Sequence, residues 1–255
     1  VSDPTAAPAA HPAPLDHLAA LERAQAEFAA VLASADPEAP VAACAPWHVA
    51  DLALHLGGVH WWASAMALGV DLDPHEPPGP RDSDSLVTFY SWSAAHLRAT
   101  LAERDPQAPA LTLLGPGVAG FWHRRQLHET LVHLWDLAAA TGARTWLDAE
   151  PAADADLAWA DAVAEVVDTM APRQVRLGRI GPLADAVELV AAGRPRAADA
   201  RTWRLGDGEP AARVHGTPRD LALLLWHRVA PGERSLRVEG DAAVLDRLLA
   251  LRLTP

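Results

Sequence analysis

The chain has one cysteine, one tyrosine and three phenylalanines, and it has no lysine and no asparagine. A single thiol, Cys44, excludes an intramolecular disulfide and any metal site built from several thiolates. Set in an Ala/Pro-rich approach to a helix, Cys44 reads as a small inert residue. No apolar run approaches the roughly 18 residues that a membrane-spanning helix needs. Positive charge is also scarce, with 21 basic residues, all arginine, against 33 acidic ones and a formal net charge of −12. That balance argues against wholesale binding to nucleic acid or to an anionic membrane, while leaving room for a local basic pocket. The opening stretch VSDPTAAPAAHPAP has no basic start followed by an apolar core. Residues 1–14 therefore read as a flexible extension rather than a signal peptide, and a cytoplasmic protein is expected.

Apolar material is plentiful. Half of the 255 residues are hydrophobic, enough for one large domain or two modest ones. Leu15, Leu18, Leu21, Phe28, Val31 and Leu32 recur at helical spacing and mark a first helix ending near Asp36-Pro37. A second helix is expected from about His48 to Leu68, stopped by Gly69. A third covers Leu86 to about Glu103, with Ser83 or Asp84 as its N-cap. After the loop RDPQAPALTLLGPG, a fourth runs from about Gly120 to Ala140 and closes at Gly142. This pattern predicts a four-helix bundle over residues 15–146. Beyond a boundary in ARTWLDAEPAA the character changes. Residues 150–255 carry a helix from about Asp154 to Met170, then the strand-like runs AVELVAA, RTWRL, ARVHG and SLRVEG. Among these lie a helix, TPRDLALLLWHRV, with Thr217 as N-cap and Pro218 at its first position, and a closing helix, AAVLDRLLAL. The fold class is α+β, a helical bundle followed by a smaller α+β domain.

The fourth helix contains QLHETLVHLWDL, residues 126–137, which sets four titratable side chains among leucines at helical spacing. His128 and His133 are five positions apart, so they point about 140° away from each other, and the segment is not the His-Glu-x-x-His motif of zinc peptidases. Glu129 and His133 are four apart and share a face. In the second helix, His55 falls on the apolar stripe with Leu52, Val59 and Trp62 and so faces inward. One inward His and an inward Glu/His pair on another helix can converge in a bundle core. They would form a His₂Glu set with open positions, the stoichiometry of a catalytic zinc site. Asp136 is spaced to accept the second ring N–H of His133. Two plainer readings compete. His55 can be a hydrogen-bonded core residue, and Arg125, one turn before Glu129, can pair with it in a metal-free bundle. Spacing alone leaves these alternatives open, and it gives His128 no role.

PWHVADLALHL followed by RRQLHETLVHLWDL resembles the mycothiol-dependent maleylpyruvate isomerase family, a branch of the DinB-like metal-binding four-helix bundles. The matching positions are Trp47, Asp51-Leu52, His55, Glu129, His133 and Trp135-Asp136. The stretch TPRDLALLLWHRV with LRVEGDAAVLDRLL is similar to the family's small C-terminal domain, whose helix ends in an arginine, here Arg228. The resemblance implies a divalent metal, Zn²⁺ by ligand type although others fit, on His55, Glu129 and His133. It implies mycothiol as the thiol co-substrate, a small electrophile as its partner, and Arg228 as a substrate-orienting residue. His60, with Trp61 and Trp62, is placed toward the open end of the bundle. His60 is a candidate catalytic residue, and Trp62 and Arg125 are candidates for contact with the cofactor, with core packing as the plainer alternative. Arg173, Arg176, Arg179, Arg194, Arg196, Arg201 and Arg204 are either solvated surface residues or the lining of a cleft for carboxylates.

The chain offers no thiol nucleophile of its own, so sulfur has to arrive from outside, and a metal-coordinated thiol is a thiolate at neutral pH. That sulfur can stay on the electrophile, which is S-transfer. Alternatively it can add to a cis double bond, allow rotation and leave, which is isomerisation. S-transfer is ranked first here, because such families contain many members outside one catabolic pathway. Maleylpyruvate cis–trans isomerisation is second, and a metal- or small-ligand-binding protein without turnover is the reading of another class.

Overall fold

The computed structural model describes residues 15–72, 79–148, 153–191 and 201–254. The expected extension 1–14, part of the expected domain boundary, Arg194 and Arg196 lie outside the described residues. Helices α1 (His17–Leu32), α2 (Val49–Ala67), α3 (Ser83–Glu103) and α4 (Gly120–Thr141) form the bundle. Leu21 and Phe28, Leu52 and Leu56, Tyr90 and Leu97, and Leu127 and Leu131 are fully buried between them. Burying a leucine or phenylalanine contributes about 1.5–3 kcal/mol, so these interlocking stripes hold the helices together.

Local chemistry sets the helix ends. Asp16 accepts from the backbone N–H groups of Leu18 and Ala19 and starts α1. The N-cap of α3 is Asp82, one residue before Ser83 and two before Asp84, the two expected positions. Its backbone is extended and its carboxylate accepts from the Ser85 N–H at 3.0 Å. Gly142 ends α4 with φ of 71°, a left-handed conformation that suits glycine. The segment expected as a loop before α4 holds a hairpin, β1 (Pro109–Thr112) and β2 (Gly115–Val118). The Thr112 hydroxyl donates to the Gly115 carbonyl and closes its turn, and the Trp122 indole donates to the Leu111 carbonyl. Glycine and proline in GPGV conceal this strand from a propensity reading.

The second half opens with α5 (Ala153–Glu165), which passes through a π-helical segment (Val166–Met170) into α6 (Ala171–Arg176). The helix therefore runs beyond Met170, where the sequence pattern ends it, and carries Arg173 and Arg176. Strands β3 (Ala186–Ala191), β4 (Thr202–Leu205), β5 (Pro210–Gly216) and β6 (Arg237–Gly240) form a sheet of order β4-β3-β5-β6. The pair β3–β5 is parallel and the other two pairs are antiparallel. Helices α7 (Pro218–Leu225) and α8 (Ala242–Leu249) pack on it. Thr217 caps α7 as expected, but the helix stops at Leu225, short of the expected Val229. His227 takes a left-handed φ of 56°, and the chain leaves the helix axis just before Arg228. On its other side α5 lies against the bundle, where His17 Nε2 and Arg124 Nε reach Asp161 Oδ2 at 2.7 and 3.1 Å. Among the described residues, no helix is long and apolar enough to cross a membrane.

Candidate metal centre

Helices α2 and α4 bring His55, Glu129 and His133 together. Glu129 Oε1 lies 3.5 Å from His55 Nε2 and 3.3 Å from His133 Nε2, and one ligand atom from each residue falls within 4.8 Å of the others. A tetrahedral Zn²⁺ with bonds of about 2.0–2.1 Å spaces its ligands by about 3.4 Å. The donor set and its spacing fit such an ion, with three protein ligands and a position left for an exogenous group. The Trp47 ring stands 4.7 Å from the His55 ring, and the His55 ring meets that of His133 edge-on at 5.2 Å.

The far side of each candidate ligand on α4 is held. Asp136 Oδ2 accepts from His133 Nδ1 at 3.0 Å, which leaves Nε2 turned toward Glu129. Metal-ligating histidines are typically oriented by a carboxylate in this way. Glu129 Oε2 accepts from Arg125 Nη2. The Arg125–Glu129 pair, a rival to the metal at the level of sequence, is thus present but uses the other oxygen. Both can hold at once. Burial opposes charge on Glu129, yet Arg125 and the two histidines outweigh it and hold the carboxyl well below its usual range. Burial likewise opposes charge on His133, but Asp136, Cys44 and Glu129 raise its pKa well above the ordinary value. The pocket attracts positive charge, a proton or a metal cation.

Asp136 also anchors the two halves to each other. Arg228 Nε and Nη2 donate to its Oδ1 and Oδ2, both at 2.8 Å, and Arg228 Nη1 donates to the Trp226 carbonyl. The Cys44 thiol donates to Asp136 Oδ2 at 3.4 Å and lies 3.4 Å from Arg228 Nη2. Cys44, His133 and Asp136 form a second group of potential ligands, but the Arg228 guanidinium already sits where a cation would. Cys44 is therefore a contact residue of the site rather than an inert spacer. Nothing in its local sequence signals this, because its partners are 92 and 184 residues away.

The other expected site residues are placed differently. His60 does not face an open end. It is fully buried, with Nδ1 2.8 Å from Gln126 Oε1 and Nε2 3.1 Å from Gln25 Nε2. Two glutamines satisfy it as a neutral ring, and burial pushes its pKa down to about 4. Folded His60 therefore binds fewer protons than unfolded His60 between about pH 4 and 6.5, so acidification through that window favours unfolding. The shift corresponds to about 3 kcal/mol at most. In urea titrations, His60→Gln is expected to lose less stability than the parent chain between pH 7 and 4.5. Equal losses would show that His60 does not carry that part of the acid limb.

The Trp62 indole donates to the Leu72 carbonyl at 2.8 Å, and its ring meets Trp122 edge-on at 5.1 Å, so it serves packing. Arg173 donates to the Leu113 carbonyl and Arg204 to that of Gly208, while Arg176, Arg179 and Arg201 are exposed. None of these arginines joins the ligand group. His128, without a role in the sequence reading, is fully buried with Nδ1 2.9 Å from Glu165 and Nε2 3.2 Å from Asp161. A groove of about 220 Å³ in the second half, lined by Leu183, Val244, Leu248 and Leu251, shares no residue with the cluster.

Two family models match the chain. Residues 18–138 match the mycothiol maleylpyruvate isomerase N-terminal domain, and residues 156–247 match the C-terminal domain of the same family. Two uncharacterised Mycobacterium tuberculosis proteins, one from strain CDC 1551 and one from H37Rv, are each 34% identical over 147 residues. The match covers 55% of this chain and 75% of theirs. Among solved structures, a mycothiol-dependent maleylpyruvate isomerase superposes with a TM-score of 0.62 at 16% identity, covering 89% of this chain and 93% of that one. A variant of that enzyme with one histidine replaced by alanine gives 0.63 at 15% identity, with the same coverage. At that identity the superpositions speak to the fold, an α+β chain with a helical N-terminal domain.

Proposed function

The chain belongs to the mycothiol-dependent maleylpyruvate isomerase family of enzymes through both of its halves, and on that premise we propose that it is a metal- and mycothiol-dependent isomerase acting on a small electrophilic cis-alkene. The observation that carries the reading is the placement of Glu129 Oε1 opposite both His55 Nε2 and His133 Nε2. His55, Glu129 and His133 would hold the metal. When bound there, a divalent metal lowers the pKa of a thiol so that it is nucleophilic at neutral pH.

The remaining work falls to the chain's own residues. Asp136 fixes the tautomer and orientation of His133, Arg125 fixes Glu129, and Trp47 walls the side of His55. In the substrate, the thiol sulfur bonds to one carbon of the double bond and the electron pair moves onto the conjugated carbonyl. The resulting single bond rotates, the pair returns, and the C–S bond breaks to release the trans isomer with the thiol regenerated. Isomerisation takes precedence over S-transfer, the first choice of the sequence reading, because the matching domains and fold neighbours are named for an isomerase.

Zinc-loaded protein given mycothiol and maleylpyruvate is expected to consume the maleylpyruvate absorbance only when both thiol and metal are present. No thiol conjugate should accumulate by mass spectrometry. Steady accumulation of a stable S-conjugate would move the reading to transfer, and turnover without thiol would overturn it.

A further inference from the structure

Glu165 is the last residue of α5 and lies 40 positions beyond Arg125 in the chain. It is 1% exposed, and Arg125 is 3% exposed. Burying an unpaired carboxylate or guanidinium costs several kcal/mol, so each needs its partners. Arg125 Nη1 donates to Glu165 Oε2 while its Nη2 donates to Glu129 Oε2. One planar guanidinium thus bridges two carboxylates on two helices, a geometry that the single ammonium of lysine does not reproduce. Its carbon lies 5.3 Å from the centre of the Trp226 ring. The same Glu165 oxygen, Oε2, is 2.9 Å from His128 Nδ1, and a π-helical segment, a feature that recurs at functional sites, begins at the next residue.

We propose that Glu165 is a positioning residue for Glu129, acting through Arg125, so that α5 sets the orientation and charge of the carboxylate that faces the metal position. The inference rests on the metal-binding reading of His55, Glu129 and His133. An arginine paired with Glu129 alone would place its whole charge on that carboxylate and weaken Glu129 as a ligand. Glu165 takes up part of that charge from the opposite edge of the guanidinium and pins Arg125 against rotation. Glu129 Oε2 is then fixed, and Oε1 stays directed at both histidines. His128 gains its role here, as a second neighbour of that Glu165 oxygen.

The test is the zinc affinity of the purified full chain, measured by competition with a chromophoric chelator. It is paired with the absorption spectrum of the Co²⁺-substituted protein and with thermal melts of the metal-free protein. Glu165→Gln keeps the shape and removes the charge. It is expected to lower zinc affinity about 10–100-fold, as loss of an outer-shell partner typically does, and to change the Co²⁺ spectrum. If that variant does not fold, Glu165→Asp keeps the charge but draws it back from Arg125 by one methylene, and it is expected to weaken zinc in the same direction. Wild-type zinc affinity and an unchanged Co²⁺ spectrum in the folded variant, with only a lower melting temperature, would reduce Glu165 to a structural role and overturn the proposal. An unsubstituted chain that fails to bind zinc would overturn the metal reading and this inference together. A chain that binds zinc beside a variant that binds it equally well overturns this inference alone.

Discussion

His133→Ala is expected to give a folded protein that no longer retains a divalent metal and has lost metal- and thiol-dependent turnover. Glu129 and Asp136 keep their arginine partners, Arg125 and Arg228, when the imidazole is removed, so neither carboxylate becomes an orphaned buried charge. What disappears is the nitrogen 3.3 Å from Glu129 Oε1, leaving only His55 and Glu129. Losing a direct ligand should cost more than the roughly 10–100-fold in affinity that outer-shell losses cost. His55→Ala should behave alike, with a smaller stability cost because its side chain is 23% exposed against 9% for His133. The raised pKa of His133 adds a second readout. Proton and cation compete for the ring, so zinc affinity is expected to fall as the pH is lowered. Elemental analysis after zinc loading and dialysis, beside circular dichroism, decides the matter. Variants retaining one zinc per chain would remove these histidines from the ligand set.

Why the sequence discloses some of this site and hides the rest is a question of which distances a helix fixes. Four-residue spacing puts Glu129 and His133 on one face, three-residue spacing brings Asp136 under His133, and the apolar stripe of α2 turns His55 inward. Each of these relations lies within one helix or one stripe. Spacing does not say which element covers a given face. Glu165 meets Arg125 from 40 positions away, and Arg228 and Cys44 each meet Asp136 from 92. These contacts depend on where α5, the turn before α2 and the turn after α7 come to rest, which no local pattern encodes. His60 shows the opposite failure. Its position beside two tryptophans suggested a pocket, but its partners are Gln25 on α1 and Gln126 on α4, and a histidine with two glutamine partners is stable as a neutral core residue. The hairpin before α4 was hidden because its strands are short and rich in glycine and proline, and it is fixed by the Trp122 indole rather than by strand propensity.

The second large effect is expected at Asp136, where the candidate metal group and the packing of the two halves meet. Asp136 is 1% exposed and accepts from His133, from both Arg228 donors and from the Cys44 thiol. Asp136→Ala leaves the Arg228 guanidinium, 13% exposed, facing a cavity without a counter-charge. Removing one partner of a buried pair typically costs about 3–5 kcal/mol. Asp136→Asn should be only partly better, because an amide N–H₂ turned toward Arg228 meets donors with a donor. Burial works against the charge on Asp136, but His133 and Arg228 outweigh it and lower its pKa below 3.8. The carboxylate's contribution is therefore full above the unfolded pKa and lost as pH falls through the folded one, so the gap between parent and variant should narrow only in strong acid. The double variant Asp136→Ala/Arg228→Ala removes the orphaned charge as well, and it should lose less stability than the two single variants added together. Additive losses in urea denaturation would show that the pair is not coupled, and that Asp136 and Arg228 do not lock the turn after α7 to the bundle.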